Sequence, residues 1–310
     1  MAGEILAVAT AITFPLANAM FKKVDNLFTP SQINAIRTSV GAIFFVLFIL
    51  ILDQWKFLPL VTTGLLVLLL VSIFFGQVIG DTAYFIGQES LGTTIALAIS
   101  GTMPFFTFLI SLLIGEDISV TFYLSGIIIG AGIFLISKSQ ISREESSFNR
   151  NGSKYIFMVI TLLIASFSWA IAIVLTDIGF NALGNLLPQG EQTSFLGNAI
   201  RLPFAAVILC VMGWKSRSKN KQNSDSLYKN PFDGKVITIL LAASIIGTAL
   251  GILLYSEAAR LAGAPFTSLI LTASPLFSIP ISWAINKEKI SFLELIGLLL
   301  ILTGVILILL

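Results

Sequence analysis

Gln77, Asp81, Tyr84 and Gln88 are spaced four, three and four residues apart, which puts them on one face of a helix. Their surroundings are apolar, and Asp81 lies roughly two turns inside the run. A carboxylate at the centre of a membrane helix costs about 2.5–3.5 kcal/mol on the insertion scale, so Asp81 is expected to face a cavity or a partner. Two chemistries fit: a substrate or proton site, or a structural hydrogen bond between helices made by the neutral acid. Asn34 with Arg37, and Asn198 with Arg201, form two further pairs three residues apart. Each arginine sits one or two turns inside an apolar run, so it could hold an anion, act in a gate, or snorkel as an interfacial anchor. Trp169, Tyr84 and Tyr255 could line a cavity or belong to the core. Pro104 and Pro275 are expected to bend their helices, with Ser100, Thr107 and Ser111 beside the first and Ser278 and Ser282 beside the second able to satisfy loosened backbone groups. Glu257 and Arg260, three apart, read as an ion pair at a helix end.

Other chemistry is excluded by what the chain lacks. There is no histidine and a single cysteine, Cys210, so the commonest metal ligand and general base are missing and no internal disulfide can form. No phosphate-binding loop, no carboxylates at metal spacing and no Cys/His cluster occurs. No cofactor, metal or catalytic constellation is expected, and the chain does not read as an enzyme.

These residues must be positioned by elements that repeat. Ser72–Ile114 aligns with Ala243–Ile285 at a constant offset of about 171 without a gap. Gly76 falls on Gly247, Gly80 on Gly251, Tyr84 on Tyr255, Gly92 on Gly263, Pro104 on Pro275 and Ser111 on Ser282. Asp81 has no counterpart, because Ile252 stands there. Asn34-Ala35-Ile36-Arg37 returns as Asn198-Ala199-Ile200-Arg201. Gly76-x-x-x-Gly80, Gly247-x-x-x-Gly251 and Gly126-x-x-x-Gly130 are expected to pack helices closely.

Of the 310 residues 56% are hydrophobic and 11% charged. A soluble fold of this size could not bury so much apolar surface. Continuous runs of about 20 residues argue for membrane helices rather than a barrel. Ten spans are expected, at 3–21, 31–52, 63–87, 92–114, 119–137, 154–176, 193–213, 236–258, 264–285 and 291–310. They form two five-helix repeats, 1–137 and 154–310, joined by a polar linker at 138–153. With an odd number of spans in each, the second repeat enters the membrane from the opposite side. The expected fold is therefore all-α and integral to the membrane, an inverted-topology repeat around a central cavity. The first span follows Met1-Ala2-Gly3-Glu4 without a basic stretch or cleavage signal, and reads as uncleaved.

Lysine and arginine set the expected orientation. Lys22, Lys23, Lys138, Arg143, Arg150, Lys154, Lys215, Arg217, Lys219, Lys221, Lys229, Lys235, Lys287 and Lys289 fall on one side, and only Lys56 and Arg260 on the other. The basic side is expected to be cytoplasmic, with both termini outside. The basic stretch 214–235 is read as a solvated loop and not a nucleic-acid site. Asn151-Gly152-Ser153 matches a glycosylation sequon by chance in a cytoplasmic linker.

Gly92-Thr93-Thr94-x-Ala96 leads to Pro104, then to Gly115-Glu116 and Gly126. In the second copy Gly263-Ala264-Pro265 leads to Pro275, Glu288 and Gly297, with Asn286-Lys287 before Glu288 in place of the usual Gly-Glu. In this duplicated pattern the chain resembles the drug/metabolite transporter superfamily, in particular its EamA-type members with ten spans in two five-span repeats. The resemblance implies a cavity lined by spans 1, 3, 4, 6, 8 and 9, and export or exchange of small organic metabolites. Such relatives move amino acids, sugar derivatives, phosphorylated metabolites and cationic drugs, and some have both termini in the cytoplasm.

The expected function is secondary transport of a small polar metabolite such as an amino acid, by alternating access and coupled to protons through Asp81. Two alternatives stand beside it: an exchanger of sugar phosphates or nucleotide sugars held by Arg37 and Arg201, and a membrane scaffold or receptor without transport. The expected partners are a small-molecule substrate, protons and the lipid bilayer; monomer and homodimer both remain open.

Overall fold

The computed structural model describes residues 2–24, 27–91, 96, 99–144, 152–189, 191–216, 230–286 and 291–309, with side chains described for all of these except 140–144, 152–154 and 281–286. Gly92, Thr93, Thr94, Arg217, Lys219, Lys221, Lys229 and Glu288, and the side chain of Ser282, lie outside the described residues. Among the described residues all regular secondary structure is helical.

The first helix, α1, is Ala2–Phe21. A capping box then starts α2 (Pro30–Ile51): Gln32 N–H donates to Thr29 Oγ1 at 3.3 Å and Thr29 N–H donates to Gln32 Oε1 at 2.9 Å, with Pro30 in the first turn. Helix α3 (Thr63–Ile73) runs through a π-helical segment, Phe74–Asp81, into α4 (Thr82–Leu91). Next come α5 (Met103–Leu113), α6 (Val120–Glu144), α7 (Gly152–Leu186) and α8 (Thr193–Lys215). Helix α9 (Gly234–Ser244) passes through a second π segment, Ile245–Leu250, into α10 (Gly251–Ala262). The chain closes with α11 (Ala264–Thr272), α12 (Pro275–Asn286) and α13 (Phe292–Leu309).

Among the described residues eight helical stretches are long and apolar enough to cross a membrane: α1, α2, α3–α4, α6, α7, α8, α9–α10 and α13. Two shorter apolar stretches, Met103–Leu113 and Ala264–Pro280, occupy the places of the fourth and ninth expected spans. Ile43, Leu113, Phe134 and Val207 are each more than half exposed, as an outer surface facing hydrocarbon requires.

The helices pair across the two halves. α2 packs on α8, α6 on α13, α1 on α10, and α3–α4 with its π segment on α7. Glycines set the closest approaches. A Cβ at Gly80 would lie 2.5 Å from the Trp169 ring of α7, and one at Gly247 would lie 2.4 Å from Ala17 of α1. Between α6 and α13 the tight contact is at Gly132, whose Cβ would come within 2.6 Å of the Gly297 carbonyl. Gly126 and Gly130, expected to make that approach, are in looser contact with phenylalanines.

Several spans differ from expectation. The sixth, expected at 154–176, is 35 residues long and carries Asp177 and Asn181 inside the helix rather than in a loop. It continues because Phe180 and Leu183 extend its apolar face onto Leu65, Leu69 and Leu196, with Leu187 just past its end in the same cluster. Helix α6 runs to Glu144, and the third and eighth spans extend to Leu91 and Ala262. Near Pro104 and Pro275 the helices stop and restart instead of bending. Turns at Gly101-Thr102 and Ala273-Ser274 precede new helices in which each proline sits in the first turn, where its missing N–H costs nothing. The restarts are tightened by short-range bonds such as Ser274 N–H to Leu271 O at 3.1 Å and Leu276 N–H to Ala273 O at 2.9 Å.

Candidate functional site

A cavity of about 190 Å³ lies where the two halves meet. Its walls come from α1 (Thr10, Thr13, Phe14), the first π segment (Gly76, Gln77, Asp81), α7 (Trp169, Ala172), the second π segment and α10 (Gly247, Gly251, Ile252, Tyr255), and the two helix restarts (Ser100, Gly101, Ser274, Pro275). Arg37 reaches it from α2 and Arg201 from α8. Its wall thus includes two helices beyond the six that the resemblance implied.

Asp81 is held from two sides. Arg37 Nη2 forms an ion pair with Asp81 Oδ2, and Trp169 Nε1–H donates to Asp81 Oδ1 at 2.9 Å. Arg37 is only 4% exposed and Asp81 7%. Trp169 can lie this close because Gly80, one residue before Asp81, has no side chain to exclude it. Arg37 Nε–H also donates to Asn34 Oδ1 at 3.0 Å, and the guanidinium lies 5.0 Å from the Phe85 ring centre. Asn34 in turn donates to Gln77 O at 3.0 Å and to Thr82 Oγ1 at 3.2 Å. Thr38 Oγ1–H donates to Gln77 Oε1 at 2.7 Å. Asn34 and Thr38 therefore fasten α2 to the π segment, and Asn34 supports the arginine without itself lining the cavity.

The second arginine has the same local setting and different company. Arg201 Nη1–H donates to Asn198 Oδ1 at 3.3 Å and Nη2–H to Thr176 Oγ1 at 2.9 Å, and its guanidinium lies 5.1 Å from the Phe180 ring centre. Asn198 donates to Ser256 Oγ at 2.8 Å and to Ser194 O at 2.9 Å. Arg201 is 2% exposed, so neither arginine is an interfacial anchor.

The expected polar face of the third span is divided. Gln77 and Asp81 line the cavity, whereas Tyr84 and Gln88 do not. Tyr84 is buried in an aromatic cluster, with ring centres 5.2 Å from Trp169 and 6.3 Å from Phe14. Tyr255, its counterpart, does line the cavity, as does Pro275, whereas Pro104 lies just outside it. Thr107 and Ser111 are fully buried, and Thr107 Oγ1–H returns to Met103 O at 3.1 Å. Glu257 pairs with Arg260 and accepts from Ser194 Oγ–H, away from the cavity.

Sequence reasoning missed Asp177 and Phe180 because it ended the sixth span too early, and passed over Thr176, the last residue of that expected span. The signal was present: Ile173, Phe180, Leu183 and Leu187 follow one another at intervals of seven, three and four residues. Asp177 accepts from the Ala264 N–H at 2.8 Å and from Asn181 Nδ2–H at 2.6 Å, so a carboxylate from α7 caps the start of α11. Gly263, between α10 and α11, has φ +82°, which favours glycine.

Comparison with known proteins agrees with this architecture. The model of the EamA-like transporter family matches residues 1–138 and 156–310. An uncharacterized transporter of Archaeoglobus fulgidus is 26% identical over 243 residues, covering 78% of this chain and 75% of its own. A solved crystal structure of a protein superposes with a TM-score of 0.72 over 98% of this chain and 96% of the other, at 12% identity. That degree of identity speaks for a shared fold alone.

Proposed function

Because the chain belongs to the EamA-like transporter family and is a multi-pass membrane protein, we propose that it is a secondary transporter of a small polar organic metabolite, such as an amino acid, working by alternating access. The observation that carries this reading is the cavity between the two halves, walled by two broken helices and two π segments. A cavity whose walls are helices interrupted at equivalent places can open to either side by rocking one half against the other. The pairing of α1 with α10, α2 with α8 and α6 with α13 supports ten spans in two inverted repeats, 1–137 and 154–310, joined by the linker 138–153. The lysine and arginine bias supports a cytoplasmic basic side and external termini.

Coupling to protons is assigned to Asp81. Its carboxylate ties α2, the first π segment and α7 together through Arg37 and Trp169. Protonation of Asp81 removes the charge that holds Arg37, which loosens the knot between these helices. Among the described residues Tyr84, Tyr255 and Arg201 are further titratable groups packed around this centre.

Burial of Arg37 and Arg201 on the cavity favours one second reading, an exchanger of sugar phosphates or nucleotide sugars. Flux in proteoliposomes separates the two. A pH gradient should drive uptake or efflux of a labelled solute, and Asp81→Asn should abolish that drive. Gradient-driven flux unchanged in Asp81→Asn, or flux seen only as counterflow of phosphorylated solutes, sinks the proton-coupled reading.

A further inference from the structure

Resting on the carrier reading above, we propose that Arg201 is the cation that binds a carboxylate on the transported solute. The substrate class is then small monoanions and zwitterions, not phosphate esters.

The argument starts from two copies of one arrangement. Each half buries an arginine that bonds the amide oxygen of an asparagine three residues earlier and lies about 5 Å from a phenylalanine ring. In the first half the charge is answered by Asp81. In the second half the position matching Asp81 is Ile252, which lines the same cavity and packs in one cluster with Ala199 and Leu202, the neighbours of Arg201 in α8. No carboxylate among the described residues pairs with Arg201. Its protein partners are the neutral oxygens of Asn198 and Thr176, and its buried Nε–H has no acceptor.

A guanidinium in a low-dielectric interior is stable when a counter-charge and hydrogen bonds answer it. An arginine fork matches a carboxylate with two parallel N–H···O bonds. Arg201 therefore offers in the cavity what Arg37 has already spent on Asp81. The charge count limits the ligand. One unmatched cation answers one negative charge, whereas a phosphate ester near its second ionisation carries about −1.5 to −2. The cavity, at about 190 Å³, is also smaller than the roughly 300–1,000 Å³ of pockets for drug-sized ligands. Phe14, Trp169 and Tyr255 provide an apolar and aromatic wall for the rest of the solute.

The test is thermal unfolding of the purified full-length protein in detergent with millimolar alanine, serine, leucine, lactate or pyruvate. The amides of the three amino acids and glycerol 3-phosphate, a phosphate ester without a carboxylate, are the comparison probes. At least one carboxylate probe should raise Tm, and its amide should not. Arg201→Gln should weaken that probe's apparent affinity by roughly 10-fold to 100-fold, the range for a charge-assisted hydrogen bond. Ile252→Asp should give Arg201 an internal partner. It should keep or raise the unliganded Tm and abolish the ligand-induced rise, whereas Ile252→Asn should leave that rise in place. A purely structural Arg201 would make no such distinction between the two replacements at position 252.

The proposal is overturned if amides stabilise as well as acids, if only glycerol 3-phosphate stabilises, if Ile252→Asp still responds, or if no carboxylate probe shifts Tm. The carrier reading fails separately, when proteoliposomes show no flux of any of these solutes even though one of them binds.

Discussion

Asp81 accepts from a guanidinium on one helix and an indole N–H on another, so its carboxylate joins three elements at one point. Breaking a buried pair by removing one partner leaves the other charge uncompensated, at a cost of about 3–5 kcal/mol. Arg37→Met and Asp81→Leu should each lower Tm by an amount corresponding to that range. The double variant Arg37→Met/Asp81→Leu should lie above both singles in Tm, because no orphan charge remains. Thermal unfolding of the three proteins checks this, and a double variant no better than the singles would mean that the pair is not what stabilises the site. Trp169→Phe keeps the ring and removes one donor to the carboxylate. It should leave folding nearly unchanged and slow proton-driven flux in the same assay.

At the scale of elements, paired glycines decide how near the halves come. Gly80→Ala would push a methyl group against Trp169 and draw the indole away from Asp81. Overpacking of this kind costs about 1–3 kcal/mol, and flux should fall more than stability does. Gly247→Ala meets Ala17, and Ala17→Gly should restore the lost Tm, which a two-by-two set of variants would show. The two π segments begin 171 residues apart, at Phe74 and Ile245, the same spacing that relates Gly76 to Gly247. Each follows an apolar helix and ends beside the cavity. Asp81 ends the first π segment at the cavity wall, and Tyr84, one turn further on, is buried in the core.

For the whole molecule the open question is which way it faces. In a Cys210→Ser background, cysteine placed at Ala2 should react with a membrane-impermeant maleimide in intact cells, and cysteine at Asn230 should react only after permeabilisation. The opposite pattern would reverse the orientation and leave the cavity chemistry untouched. The pairing of α6 with α13, remote from the cavity lining, makes a brace rather than a wall. Gly132→Leu should therefore lower Tm, by forcing a side chain into the Gly297 backbone, without altering which solute is bound.

Membrane residence, helical class and an internal repeat were legible in the sequence, because each is an average over many residues. Hydropathy summed over twenty positions, or glycines matched at a constant offset, survives errors at single sites. The same averaging hid the restarts before Pro104 and Pro275 and the extra turns of α7 that carry Asp177 and Phe180. The chemistry of the site was legible only as a set of candidates. Asp81, Arg37 and Arg201 could be named from their types and depth. That Arg37 is answered by a carboxylate 44 residues away while Arg201 meets only neutral oxygens was decided by the tertiary structure. A counter-charge is a matter of a few ångströms across a helix interface, a distance that spacing along the chain does not fix.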